Sequence, residues 1–187
     1  SARSGLRRAV PDRSDLAARL SSSRALAGAG ALLLPALLAL RLPAALDGQD
    51  SVNFALGLAD FDPGLEQPHF PGYPVYIALC RLLAWAGCSD ALALALPGVL
   101  ASAALVPALL RLSRRLDVPA PTRALSLLLL AAQPLVWLEG PRPIPDLLAT
   151  SCAWVSLALV AGRRGVTAGI VLGLALGVRV DLLPLAI

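Results

Sequence analysis

The sequence predicts an all-α protein, a multi-pass transmembrane helical bundle with surface helices in the loop that follows the first crossing. Three observations predict it. Of 187 residues, 57% are hydrophobic and 15% charged, with a mean hydropathy of +0.74, where an ordinary soluble domain carries about 25% charge. The uncharged positions are concentrated in runs at 25–40, 91–110, 124–138, 147–162 and 165–178, each near the length at which a helix crosses hydrocarbon. The basic residues, all arginine, punctuate these runs and form no stripe interleaved with aromatic stacking groups. The pI near 9.6 therefore carries topological information, and no nucleic-acid partner is expected.

Residues 1–24 are an Arg-rich tail holding Arg3, Arg7, Arg8, Arg13, Arg19 and Arg24, which the positive-inside rule places in the cytoplasm. A short helix is expected at 12–20 and little order elsewhere in the tail. The run at 25–40 is longer than a signal-peptide core, and Arg41-Leu42-Pro43 is a poor cleavage site, so helix one (25–41) is read as a retained crossing. The segment 42–80 has no arginine but holds Asp47, Asp50, Asp60, Asp62 and Glu66, and belongs outside. The next basic cluster, Arg111, Arg114, Arg115 and Arg123, belongs inside, so an odd number of crossings separates the two. The run 91–110 spans. The stretch 74–87 is too short and is interrupted by Arg81, so it lies flat at the outer interface, with Tyr73, Tyr76 and Trp85 at headgroup depth.

Parity then carries 123–138 outward, leaves Glu139–Asp146 as a short outer loop, and brings 147–162 inward to Arg163-Arg164. Helix five, 165–178, goes out to Arg179-Val180-Asp181, and a further crossing begins at 182. Gly165, Gly169, Gly173 and Gly177 mark a small-residue stripe suited to close helix packing. With no methionine and an apolar run, Leu182 to Ile187, at its end, the chain is read as a piece of a longer protein whose transmembrane module, 25–187, is truncated at the C-terminus. Cys80, Cys88 and Cys152 show no metal spacing and are read as small packing residues.

Phosphate loops, nucleophile elbows and zinc-protease motifs are absent from the sequence. The densest polar stretch is the first outer loop, Leu46 to Phe54 followed by Gln67 to Pro74. A carboxylate where a membrane helix emerges is either solvated by headgroup water or held for function. Asp50 is the sharper candidate, and Asp50-Ser51 equally suits the start of a short surface helix over 51–59; Asp47 is the alternative in either role. Arg142 and Asp146 lie in the second outer loop, where Asp146 also suits the N-cap of the following helix. Arg179 ends helix five, either as a phosphate partner or as a snorkelling arginine paired with Asp181. His69, the sole histidine, is placed to hydrogen-bond an acceptor or a phosphate, and the turn through Tyr73 shapes the approach to 74–87.

The Arg-flanked first helix, the outer loop with an early Asp, the turn Pro68-His69-Phe70-Pro71-Gly72-Tyr73-Pro74, the surface helix and the short helices with Arg-Arg inside together resemble the GT-C superfamily of membrane glycosyltransferases. The protein O-mannosyltransferase-like and DUF2723-like members are the most similar. The resemblance covers about 25–187 and is most specific in the first outer loop. It implies sugar transfer from a polyprenyl-phosphate donor to an acceptor hydroxyl of a protein, lipid or glycan on the outer face, by inverting single displacement. It places Asp50 as general base, Arg179 at the lipid phosphate and Asp146 facing the active cavity; Asp47, His69, Tyr73 and Arg142 complete the expected substrate site. No cofactor is expected; some GT-C members use a divalent metal, but the ligand set here is confined to Asp47 and Asp50. The expected location is the plasma membrane, the inner membrane of a bacterium, with the amino terminus in the cytoplasm. The reading from another class is a transporter or channel subunit, which would place polar groups in mid-helix or at broken helices.

Overall fold

A computed structural model describes residues 13–185, and among them the protein is all helical, its only β feature an isolated bridge between Asp62 and Gln67. The helices are α1 (Arg13–Ala39), α2 (Gln49–Ala59), α3 (Pro74–Trp85), α4 (Asp90–Ala101), α5 (Leu105–Arg115), α6 (Ala120–Ala132), α7 (Pro134–Glu139), α8 (Asp146–Ala161) and α9 (Gly165–Val178). Short 3₁₀ turns occupy Pro63–Leu65, Ser102–Ala104 and Val180–Leu185. Residues 1–12 of the Arg-rich tail lie outside the described residues. From Arg13 onward the tail is helical and runs straight into helix one, so the expected short helix at 12–20 is not a separate element.

The chain from Asp90 to Arg115 is continuous helix with a 3₁₀ turn at its middle, and it is the one stretch among the described residues long and apolar enough to cross a membrane. Its 26 residues extend about 39 Å at 1.5 Å per residue. The other apolar helices run 10–17 residues. One expected helix is corrected: 123–138 is broken into α6 and α7. Pro134 has no N–H to offer the preceding turn and forces Gln133 out of the helical region, to φ −68° and ψ 112°. Helix five is found with the expected bounds, and 74–87 is found as the twelve-residue α3. The start of the expected sixth crossing is a 3₁₀ turn containing Pro184, and residues 186–187 lie outside the described part.

Helix α8 is the central post of the fold, packed on α9, α5 and α4. Its 16 residues separate two ends of the bundle by about 24 Å. At one end Arg24, Arg111, Arg114 and Arg115 converge, and Arg111 lies against Gly162 just past the end of α8. At the other end stand Asp47, Glu139, Arg142, Asp146, Arg179 and Asp181. The glycine stripe of α9 meets a neighbour only at Gly177, where a β-carbon would run into the Val75 side chain; Gly165, Gly169 and Gly173 face open space.

Phe54, Tyr76, Ile77, Cys80, Leu94, Leu148, Ala149 and Val178 form a core beneath the acidic end. A second cluster, Leu38, Val99, Leu105 and Leu147, lies alongside. Tyr76 corrects an expectation: it is fully buried, not interfacial, and its hydroxyl donates to the Leu94 carbonyl of α4 at 2.8 Å. The ring edge-packs on Phe54 with centroids 5.3 Å apart, so burial of the aromatic body is achieved without leaving the hydroxyl unsatisfied. Trp85, by contrast, is 88% exposed. Tyr76→Phe removes one buried bond and is expected to lower stability by about 1 kcal/mol, read as a lower thermal midpoint in detergent at unchanged helical content. Arg81 does not break α3. It donates to the Leu58 and Gly57 carbonyls at 2.9 and 3.0 Å, satisfying the free carbonyls at the C-terminal end of α2 and holding α2 to α3.

Candidate functional site

Four loop residues dock on the core beneath the acidic end: Leu46, Tyr73, Ile144 and Leu182 are partly buried against it. Three are apolar anchors next to polar candidates in sequence, Leu46 beside Asp47, Ile144 between Arg142 and Asp146, and Leu182 beside Asp181 and close to Arg179. The docking of these anchors gathers three distant segments into one site.

The first segment begins at Gly48, the N-cap of α2. Ser51 receives the backbone N–H groups of Asp47 and Gly48 at 3.2 and 3.1 Å and donates to the Gly48 carbonyl at 2.7 Å. This wraps the loop tightly before α2, so Ser51, not Asp50, is the residue that ties the helix start. Asp50 lies in the first turn, where a negative charge suits the helix dipole. It is exposed, and among the described residues it has neither a hydrogen-bond nor an ion-pair partner.

Asp47 is engaged. Arg142 donates from Nε to Asp47 Oδ2 at 2.8 Å and from Nη1 to Glu139 Oε2 at 2.7 Å, with its guanidinium over Gly48. These two carboxylates push the arginine above its ordinary value, Asp47 first and Glu139 second. Glu139 is a site residue that the sequence reading missed; the signal was its place three residues before Arg142, a spacing that brings side chains together in a turn. Asp146 is the first residue of α8 and not its N-cap, which is Pro145. Its carboxylate pairs with Arg179, whose Nε also donates to both oxygens of Asp181 at 3.0 and 2.8 Å. Arg179 is therefore held by two carboxylates.

His69 and Tyr73 form its floor. His69 Nε2 lies 3.1 Å from the Tyr73 hydroxyl, and both rings pack on Phe54 with centroids 5.3 and 5.0 Å away. His69 Nδ1 is buried and unpartnered among the described residues. Tyr73 starts α3 at φ +50°, in the left-handed region, a conformation that costs an L-residue roughly 1–2 kcal/mol and that ring packing holds in place. Burial pushes the Tyr73 phenol up; the nearby Arg179 opposes this, and Asp181 and Asp50 add to it. Through Tyr73 the charges of Asp50 and of the Arg179 pair act at one place.

All seven residues selected from sequence, Asp47, Asp50, His69, Tyr73, Arg142, Asp146 and Arg179, thus lie in the loops and helix ends at the acidic end. Among the described residues no group of three or more His, Cys, Asp or Glu side chains comes together to hold a metal ion; the acids are paired instead across arginines. The arrangement offers one unpaired carboxylate, two arginines whose carboxylate partners are partly exposed, and an aromatic floor. No protein-family model matches this chain, and no curated protein or solved structure shows significant similarity to it.

Proposed function

We propose that this chain is a multi-pass membrane glycosyltransferase of the GT-C type, transferring a sugar from a polyprenyl-phosphate donor to an acceptor hydroxyl at the acidic end of the bundle. The observation that carries the reading is the presence together, at one end of the fold, of Asp50, unpartnered among the described residues, and arginines of the second loop and of the end of α9. Transfer from a lipid phosphate needs that combination of a proton acceptor and cations for the leaving group. The resemblance of the first outer loop to GT-C enzymes supplies the reaction class.

In the reaction the acceptor oxygen bonds to the anomeric carbon, the bond from that carbon to the phosphate oxygen breaks, and polyprenyl phosphate leaves. The hydroxyl proton passes to the Asp50 carboxylate. Asp47 is the weaker candidate for that step because its carboxylate is already taken by Arg142. Arg179 receives the phosphate in place of Asp181, which at 60% exposed is the looser of its two partners, while Asp146 at 39% keeps the guanidinium oriented. His69 and Tyr73 line the sugar side, and a planar guanidinium suits a two-point phosphate contact.

The test is transfer by the chain reconstituted in liposomes with a panel of polyprenyl-phosphate hexoses and a hydroxyl-bearing acceptor peptide. Release of polyprenyl phosphate coupled to acceptor glycosylation is the expected result. Solute flux through the same liposomes with no transfer overturns the enzyme in favour of a transporter.

Orientation is tested separately. Cys80 is fully buried and its thiol is pushed up to about 12 by burial, so it is inert to thiol reagents near neutral pH. Cys88, half-buried just beyond α3, is the reporter. A membrane-impermeant maleimide applied to intact cells is expected to label Cys88 from outside; labelling only after lysis means that 74–87 crosses the membrane.

A further inference from the structure

The end of the bundle opposite the candidate site holds a cleft of about 530 Å³ that the transfer reaction does not use. It is lined by Arg24 and Ala27 of α1 and by Pro107, Leu110, Arg111, Arg114 and Arg115 of α5. Four arginines line it and, among the described residues, no acid does; Arg114 is itself engaged by another group. The four ion pairs of the described residues all belong to the other end of the molecule, so Arg24, Arg111 and Arg115 have no carboxylate partner among the described residues. The last turn of α5 accounts for two of these charges, since cations suit a helix C-terminus. It does not account for Arg24, which comes from the middle of another helix and converges on the same space, nor for Arg111 a turn earlier, which leans on Gly162 at the end of α8.

We infer that this cleft binds the phosphate of an anionic phospholipid head group. Several guanidiniums around one cavity match a phosphate, which each engages by up to two hydrogen bonds. The rest of the lining, Ala27, Pro107 and Leu110, is apolar. A soluble phosphate has no use for that wall, whereas the first carbons of acyl chains cover it. The proposal rests on the membrane reading given above, not on sugar transfer, and a chain without transferase activity binds the head group equally well.

The test uses the full chain in neutral detergent, with short-chain phosphatidylglycerol, short-chain phosphatidylcholine and inorganic phosphate as probes, followed by native mass spectrometry and by titration. Phosphatidylglycerol is expected to bind in preference to phosphatidylcholine and to resist competition by millimolar inorganic phosphate. Each arginine near an anionic lipid surface is worth about fivefold, so Arg111→Gln with Arg115→Gln is expected to weaken phosphatidylglycerol roughly thirtyfold. Arg24→Gln alone should weaken it about fivefold, and Arg123→Gln, which lies outside the cleft, should leave it unchanged. Thermal midpoints of the variants verify folding, and the single Arg24 variant serves if the double variant fails to fold. Equal binding of the two lipids, or full affinity in the folded Arg24 variant, overturns the site. Effective competition by inorganic phosphate overturns the lipid as its occupant.

Discussion

Asp50→Asn is expected to lower sugar transfer by about 10²–10⁴-fold, the usual contribution of a positioned general base, with the fold intact. Asn keeps the size and shape of the side chain but accepts no proton at the anomeric step. The structural cost is small because Asp50 is exposed and unpartnered among the described residues. What is lost is a first-turn charge favoured by the α2 dipole, about 0.3–1 kcal/mol at an exposed site. The measurement is transfer kinetics beside a thermal midpoint, with Asp47→Asn as the comparison. Asp47→Asn breaks a half-exposed pair with Arg142, worth at most about 1 kcal/mol, and is expected to raise KM more than it lowers kcat. If Asp50→Asn transfers at the wild-type rate, the base assignment fails; if Asp47→Asn alone is dead, the base is Asp47.

A large effect on stability is expected at Gly57. A β-carbon there would meet Pro68 Cδ at 2.7 Å, the Pro68 backbone N at 2.9 Å and the Gln67 carbonyl carbon at 3.2 Å. Two of the three are backbone atoms, so no rotamer change relieves the clash, and α2 and the 67–68 segment must part. Overpacking of this kind costs about 1–3 kcal/mol, against which alanine recovers up to about 1 kcal/mol of helix propensity. Gly57→Leu is therefore expected to fall near or beyond the upper end, with transfer lost as well, because His69 and Tyr73 sit on the chain that is displaced. Gly169→Leu is the control. Its β-carbon meets nothing within 4 Å, and its midpoint in detergent is expected to stay level or rise. Similar midpoints for the two variants would contradict the close approach of α2 to the Pro68 segment.

Much of the fold was legible from spacing alone. Helix α9 has the bounds that its uncharged run predicted, and α8 begins and ends within one residue of the expected range. In these stretches apolar composition and flanking charge agree, so local and global preferences point the same way. Legibility failed where one residue overrides a run. Pro134 splits an otherwise unbroken apolar stretch into α6 and α7, and Tyr76, read as an interfacial aromatic, is core because α4 presents the Leu94 carbonyl to its hydroxyl. Neither the position of that carbonyl nor the depth of the ring is written in the residues around Tyr76.

The candidate site divides in the same way. Charge order along the chain was enough to set seven polar residues apart from the arginines of the opposite end, because burying an unpaired charge is costly and the charges gather at the ends of apolar runs. Which of them are bound and which are free was decided only by the folded chain. Arg142 reaches Asp47 across 95 residues while holding Glu139, and Arg179 reaches Asp146 across 33 while holding Asp181. Such pairs follow from how Leu46, Ile144 and Leu182 seat on a common core, a matter of three-dimensional packing with no period along the sequence. The residues ranked Asp50 above Asp47; the packing adds the physical difference between them, one carboxylate exposed and unpartnered among the described residues and the other closed by an arginine from a distant loop.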